Sequence, residues 1–244
     1  MLEAISKMFG PSFPASFVNF SFLPKFASYF VDGVLNTLAL SVAAVLLAVI
    51  PALLLALMRL SKNRIVHWLS GAYIAIFRST PLMVQLAIIY FGVFFIIEVP
   101  RVYIGFVRLD MFLPFVVSLA LNSSAYVAEI FRAGILAVDS GQMEAARSLG
   151  LSQGQAMKLV VLPQAVKNVL PALANELVTM VKESSVCSAY GMGELMFAAK
   201  SVAGTTLISV GPFVFVAFIY FCINFPASKA IEAIERRMGR GDKR

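Results

Sequence analysis

The segment ANELVTMVKESSVCS, residues 174–188, sets ionisable and hydroxyl side chains inside an oily run. Asn175, Glu176, Thr179, Lys182, Glu183, Ser184 and Ser185 fall within or beside the stretch 171–200, which is long enough to cross a membrane. Charge in such a place is expensive and is kept for function or for pairing. At about 1.5 Å per residue, a helix starting near Pro171 puts 182–185 close to mid-depth. Lys182 and Glu183 then offer one cationic and one anionic partner to a small polar solute, or they bond neighbouring helices. Gln85 in stretch 81–97 and Asn122 in stretch 111–137 are further polar candidates, beside Ser123, Ser124, Tyr126 and Glu129. Each of these either meets the solute or only bonds an adjacent helix. Ser184 or Ser185 next to Lys182 is a poor basis for a hydrolytic dyad. With one His and two Cys, Cys187 and Cys222, no metal-ligand spacing exists. The 11 Met residues are scattered as gap-fillers and trace no metal path.

A second constellation, MEAARSLGLSQGQAMKLVVLPQ at 143–164, is polar where its surroundings are not. Asp139 can cap a first helix with Gln142 completing a capping box, and Ser152 a second with Gln155. Met143, Ala146 and Leu149 make one apolar stripe, and Ala156, Leu159, Val160 and Leu162 another. Gly150 supplies the turn between the helices, where positive φ is easy. Pro163 fits the first turn of the next segment. A DNA-reading helix-turn-helix needs several basic or polar groups on its second helix. Here that helix offers only Lys158 and Gln155. A rigid helix pair that docks in a groove of a soluble partner, and passes motion to the flanking spans, fits better.

The elements that must position these groups follow from composition. Of 244 residues, 60% are hydrophobic and 14% charged, against about 25% charged in an average soluble protein. Mean hydropathy is +0.87. Five stretches read as membrane helices: 29–58, 81–97, 111–137, 171–200 and 207–227. Between the first two, Ile65, Trp68, Leu69, Tyr73, Ile76 and Phe77 recur at roughly helical spacing, an amphipathic helix near a membrane surface. His67 reads as an ordinary surface residue, and Arg78 and Arg132 as interface anchors.

The net charge of +7 is distributed unevenly. Arg59, Lys62, Arg64 and Arg78 follow the first span, and Arg132, Arg147, Lys158 and Lys167 the third. Lys229, Arg236, Arg237, Arg240, Lys243 and Arg244 follow the last. On the other side Lys7, Lys25, Arg101, Arg108 and Lys200 are balanced by Glu3, Asp32, Glu98, Asp110 and Glu194. The positive-inside rule places the N-terminus outside and the C-terminus in the cytoplasm. The basic excess needs no nucleic acid. The expected organisation is an all-α polytopic membrane protein. An extracytoplasmic segment 1–28 precedes one transmembrane domain, 29–227, which carries the cytoplasmic hairpin 139–163 and is followed by a basic tail, 228–244.

The hairpin spacing resembles a known signature. Glu144-Ala145-Ala146, then Gly150, Val160 and Leu162-Pro163 are similar to the EAA motif of bacterial ABC importer permeases, with Val at the usual Ile. FRSTPLMVQL at 77–86, SAYVAEIFRAGILAVDSGQMEAARSLGLS at 124–152 and VKESSVCSAYGMGEL at 181–195 resemble blocks of the polar amino acid branch. Ser79 stands where that branch commonly has Gly, and Glu183-Ser184 where it has Asp-Thr. The resemblance covers most of the chain from the first span onward.

It implies a type I importer permease fold in the bacterial inner membrane, carrying polar amino acids. It implies a second permease subunit, identical or homologous, an ABC ATPase dimer that holds ATP and Mg²⁺ below, and an extracytoplasmic substrate-binding protein above. The chain has no Walker-type phosphate loop, so no cofactor is expected on it. Glu144, Ala145, Ala146, Arg147 and Gly150 would couple to the ATPase. Lys182 would meet a substrate carboxylate, and Glu183 an ammonium or a cationic side chain. A channel or secondary carrier is the alternative, though such folds need no docking hairpin and often show inverted repeats, which this sequence lacks.

Overall fold

The structure, a computed structural model, describes residues 19–105 and 107–239. Lys7 and Glu3, and the tail cations Arg240, Lys243 and Arg244, lie outside the described residues. The first helix, α1, runs Leu23–Leu60 with Pro24 in its first turn. Its 38 residues would reach about 57 Å, well beyond a bilayer core. One face carries small side chains near every fourth position: Gly33, Thr37, Ser41, Ala44, Ala48, Ala52 and Ala56, all buried. Such a stripe lets another helix come close. Over most of its length it admits α4, Leu109–Leu136, which packs most extensively with α1, while at Gly33 and Thr37 it meets Leu195. The opposite face of α1, with Leu46, Leu47, Ile50, Leu53, Leu54 and Leu57, is bare.

Between them lie α2, Arg64–Ser79, and α3, Leu82–Ile96, set at 106° to each other across Thr80-Pro81. Pro81 forces the break, since the residue before a proline avoids helical ψ, and Thr80 sits at ψ 147°. The apolar positions of α2 divide between two faces. Tyr73 and Phe77 turn inward with Ser70 and Ile74, while Ile65, Trp68, Leu69 and Ile76 stay outside. Helix α3 loosens into a π segment over Ile88–Val93. A two-residue hairpin, β1 Tyr103–Ile104 with β2 Val107–Arg108, leads into α4.

The polar hairpin is α5, Ser140–Ser148, and α6, Gln153–Ala156. Its second helix does not stop at Pro163. A π turn, Met157–Val161, joins it directly to α7, Leu162–Glu183, with Pro163 in the first turn of α7. The expected 171–200 span therefore differs in two ways. Its helix starts nine residues earlier, with Pro171 inside it. It is also broken: α7 tightens into a 3₁₀ turn, Ser184–Tyr190, Gly191 adopts φ +86°, and α8, Leu195–Thr206, begins afresh. The new start is fixed by Glu194, whose carboxylate accepts from the N–H groups of Met196 and Phe197 at 2.9 and 2.7 Å. Leu207, expected to open the last span, is left-handed at φ 59° and outside the helix. The last helix is α9, Gly211–Gly239.

Among the described residues three helices, α1, α4 and α9, are long and apolar enough to cross a membrane, and the bent pair α2–α3 would make a fourth. One core joins Leu40, Leu86, Phe115, Leu119 and Met180 from α1, α3, α4 and α7. A second joins Phe22, Phe30, Leu195, Val202 and Val216, tying α8 and α9 to the start of α1.

Candidate functional site

The hairpin is built to be rigid and to present its tip. Asp139 Oδ1 accepts from the Gly141 N–H at 2.7 Å. The expected first capping box does not form: the Asp139 carboxylate bonds Gly141 and not Gln142, and the side-chain Oε1 of Gln142 accepts from Gln164 Nε2 at 3.3 Å, a contact that ties α5 to α7. The second box does form. Ser152 Oγ accepts from Gln155 N at 3.3 Å, and Gln155 Oε1 from Ser152 N at 2.9 Å. Gly150 takes φ +90° with open space around it. Ala146 and Ala156 are buried where the two short helices meet. Glu144, Ala145 and Arg147 face outward, and Leu149 is 86% exposed at the tip. On the second helix Val161 turns inward, leaving Leu159 and Leu162 exposed. The π turn accounts for that shift, because its wider winding moves every later position around the axis.

From the tip, one helical rod leads through the π turn into α7. This rod carries the charged candidates. Met180 packs beside Leu40, near the middle of α1, so Lys182 and Glu183 stand at the central level of the bundle. Lys182 is exposed and Glu183 half-buried. Glu176, Thr179 and Glu183 follow one another at helical spacing on one side of α7. Glu176 Oε1 accepts from Ser123 Oγ of α4 at 2.8 Å. The hydroxyls of Ser184 and Ser185 donate back to the carbonyls of Val181 and Lys182, at 2.9 and 2.6 Å. These bonds hold the helix's last turn.

Gln85 and Asn122 lie elsewhere, buried where α3 crosses α4. Asn122 Nδ2 donates to Gln85 Oε1 at 2.8 Å. Gln85 Nε2 donates to the carbonyls of Phe77 and Thr80 and lies 2.8 Å from Thr80 Oγ1. The pair thereby satisfies the open end of α2 and pins the 106° bend.

The structure also gathers groups that the sequence left apart. A cleft of about 480 Å³ opens between α4 and α7, lined by Arg78, Tyr126, Glu129, Asn168, Ala172 and Glu176. The Arg78 guanidinium lies 5.3 Å from the Tyr126 ring centroid, a cation–π distance. Glu129 is held by Arg132 at 2.8 Å and faces Arg59 Nε at 3.9 Å. The cleft can therefore offer a guanidinium, a carboxylate and an aromatic face at once. Asn168 was legible in principle, standing eight residues before Glu176 on the same helix. With the span begun at Pro171 it fell into a loop.

Residues 44–240 match the family described as the inner membrane component of binding-protein-dependent transport systems. The arginine transport system permease protein ArtQ of Bacillus subtilis (strain 168) is 38% identical over 214 residues, covering 88% of this chain and 94% of that protein. A crystal structure of an amino acid ABC transporter with histidines superimposes with a TM-score of 0.80 at 41% identity, over 90% of this chain and 99% of that one. An inward-facing structure of the MetNI methionine ABC transporter matches at TM-score 0.64 and 20% identity, over 85% of this chain and 97% of that one, a likeness of fold. The chain belongs to the family of inner membrane components of binding-protein-dependent transport systems.

Proposed function

We propose that this chain is the membrane-spanning permease of an ATP-driven importer of polar amino acids in a bacterial inner membrane. The observation that carries the reading is the 41% identity and TM-score of 0.80 to an amino acid ABC transporter across nine-tenths of the chain. In this reading the molecule crosses the bilayer five times, with α1, α3, α4, the broken α7–α8 rod and α9, and the hairpin faces the cytoplasm.

Two copies, or this chain and a homologue, line the pathway. The open polar side of α7 supports that arrangement. Lys182 is exposed in the single subunit at the bundle's central level. A lone lysine in lipid at that depth costs about 2.5–3.5 kcal/mol on insertion scales. Facing a partner subunit and a watered pathway removes that cost.

The hairpin tip, with Glu144, Ala145, Ala146, Arg147 and Gly150, seats on an ABC ATPase dimer that binds ATP and Mg²⁺. Because the tip is continuous with α7, a displacement there moves Glu176, Thr179, Lys182 and Glu183 as one body. An extracytoplasmic binding protein delivers the substrate. Over residues 176–183 of α7 two carboxylates, Glu176 and Glu183, stand against one lysine, Lys182, and this, with the likeness to an arginine permease and to an amino acid transporter with histidines, favours amino acids with cationic side chains. Gln85 and Asn122 act in this scheme by holding α3 to α4.

The test is uptake of radiolabelled arginine and histidine into proteoliposomes holding permease and ATPase, with ATP inside and binding protein outside. Uptake that requires both ATP and the binding protein is expected. Flux that needs neither marks a channel or carrier.

A further inference from the structure

The turn between α1 and α2 forms a cationic cleft of about 690 Å³ that shares only Arg59 with the groups used above. Its lining includes Arg59, Lys62, Arg64, His67, Trp68 and Gly71, and holds no carboxylate. It lies on the hairpin's side of the bundle, because Arg59 reaches Glu129, seven residues before the end of α4. The wall is built rather than incidental. His67 Nε2 lies 2.7 Å from Arg59 Nη1, and His67 Nδ1 2.8 Å from the Arg59 carbonyl oxygen. With Nδ1 donating, Nε2 is left free to accept from the guanidinium. Gly71 makes room for that guanidinium: a Cβ there would stand 3.0 Å from Nη1. Arg59 is thus laid along α2 instead of trailing into solvent. The first N–H groups of α2 are already taken by Asn63 Oδ1, at 2.9 Å from Ile65 N and 3.4 Å from Val66 N. A ligand here would be held by side chains.

Beside the cations runs an apolar ridge. Ile65 is 69% exposed and Trp68 68%, and Leu69 and Ile76 are also bare. Positive charge adjoining bare hydrocarbon, with an indole between, is complementary to an amphiphile that has an anionic head and a greasy body. We infer that this cleft is a binding site for an anionic phospholipid, its phosphate held by Arg59, Lys62 and Arg64 and its acyl chain lying along Ile65, Trp68 and Leu69. The site goes beyond the transport reading and does not depend on which solute is carried.

Trp68 is the only tryptophan in the 244 residues, so its emission reports on this cleft alone. The full-length chain is placed in phosphatidylcholine nanodiscs doped with phosphatidylglycerol or phosphatidylcholine brominated on the acyl chains, at equal mole fraction. Brominated phosphatidylglycerol is expected to quench Trp68 at a mole fraction about tenfold lower than brominated phosphatidylcholine. The double variant Lys62→Ser, Arg64→Gln, at exposed positions, should lose that preference. Equal quenching by the two lipids in the unaltered protein would overturn the inference, whether or not the variant folds. A preference that survives in the folded variant overturns it as well. A preference abolished by millimolar inorganic phosphate assigns the cleft to a soluble phosphate and overturns the lipid assignment.

Discussion

Ser123 Oγ donates to Glu176 Oε1 at 2.8 Å, fastening α4 to α7 by a carboxylate within the bundle. The two helices are thus joined at a point about two turns before Lys182 and Glu183. Removing the donor leaves the carboxylate with one partner fewer. Ser123→Ala is expected to cost about 1 kcal/mol, in the range measured for interhelical hydrogen bonds in membranes. Thermal unfolding of the detergent-solubilised chain measures the loss. The double variant with Glu176→Gln should show non-additive effects if the contact carries the cost.

Gly150 is a backbone requirement without a packing requirement. Its φ is +90°, yet a Cβ there would meet nothing within 4 Å. Gly150→Val should therefore leave the bundle folded and inserted while distorting the turn, at a local cost of about 1–2 kcal/mol. Uptake should fall at least about tenfold while expression holds, a loss equal to about 1.4 kcal/mol of coupling by the relation between rate and barrier. Gly154→Ala is the control. Gly154 lies in α6 with open space and no positive φ, so that variant should transport normally. Normal uptake by Gly150→Val would remove the hairpin from the coupling role.

Gly33 and Gly204 make the converse pair. A Cβ on Gly33 would stand 2.9 Å from the Cα of Leu195, so α1 and α8 would have to separate. Gly33→Ala should destabilise by about 1–3 kcal/mol, the usual range for an overpacked contact. Gly204, inside α8, has no neighbour within 4 Å, so Gly204→Ala should be neutral or stabilising by up to about 1 kcal/mol. Midpoints of unfolding for the two variants, compared in one detergent, decide the matter.

Much of this was legible in the sequence, for reasons that differ by element. The second capping box and the Gly150 turn are local chemistry, and Ser152, Gln155 and Gly150 act as their types predict. The first box is absent because Asp139 caps Gly141 in place of Gln142, while Gln142 meets Gln164, 22 residues away, a contact no local rule foresees. The start of α7 was misplaced because Pro171 reads as a boundary, whereas a proline inside a packed helix is tolerated when neighbours satisfy the freed carbonyls. The inward and outward faces of the hairpin shifted at the π turn, a feature with no composition of its own. The small-residue stripe from Gly33 to Ala56 was present at a spacing of four, masked by the continuous hydrophobicity of α1. The cleft of Arg78, Tyr126, Glu129 and Glu176 is assembled from three helices and has no linear signature.

Glu183 tests the substrate assignment. Glu183→Gln keeps volume and hydrogen-bonding capacity while removing charge. It should lower uptake of cationic amino acids by at least about tenfold, as expected for the loss of a charged partner, and affect neutral ones less. Competition uptake with arginine and glutamine measures the ratio. An unchanged ratio assigns Glu183 to helix bonding.

In the proposed function the hairpin transmits a soluble ATPase's work to the α7 rod. The most direct measurement is ATPase activity of the reconstituted permease–ATPase complex, with the binding protein loaded in turn with each amino acid. Stimulation by one or a few liganded forms is expected in the unaltered complex and in Gly154→Ala, and its loss in Gly150→Val while the complex stays assembled. A permease that does not associate with the ATPase, or an ATPase rate indifferent to the liganded binding protein, would contradict it.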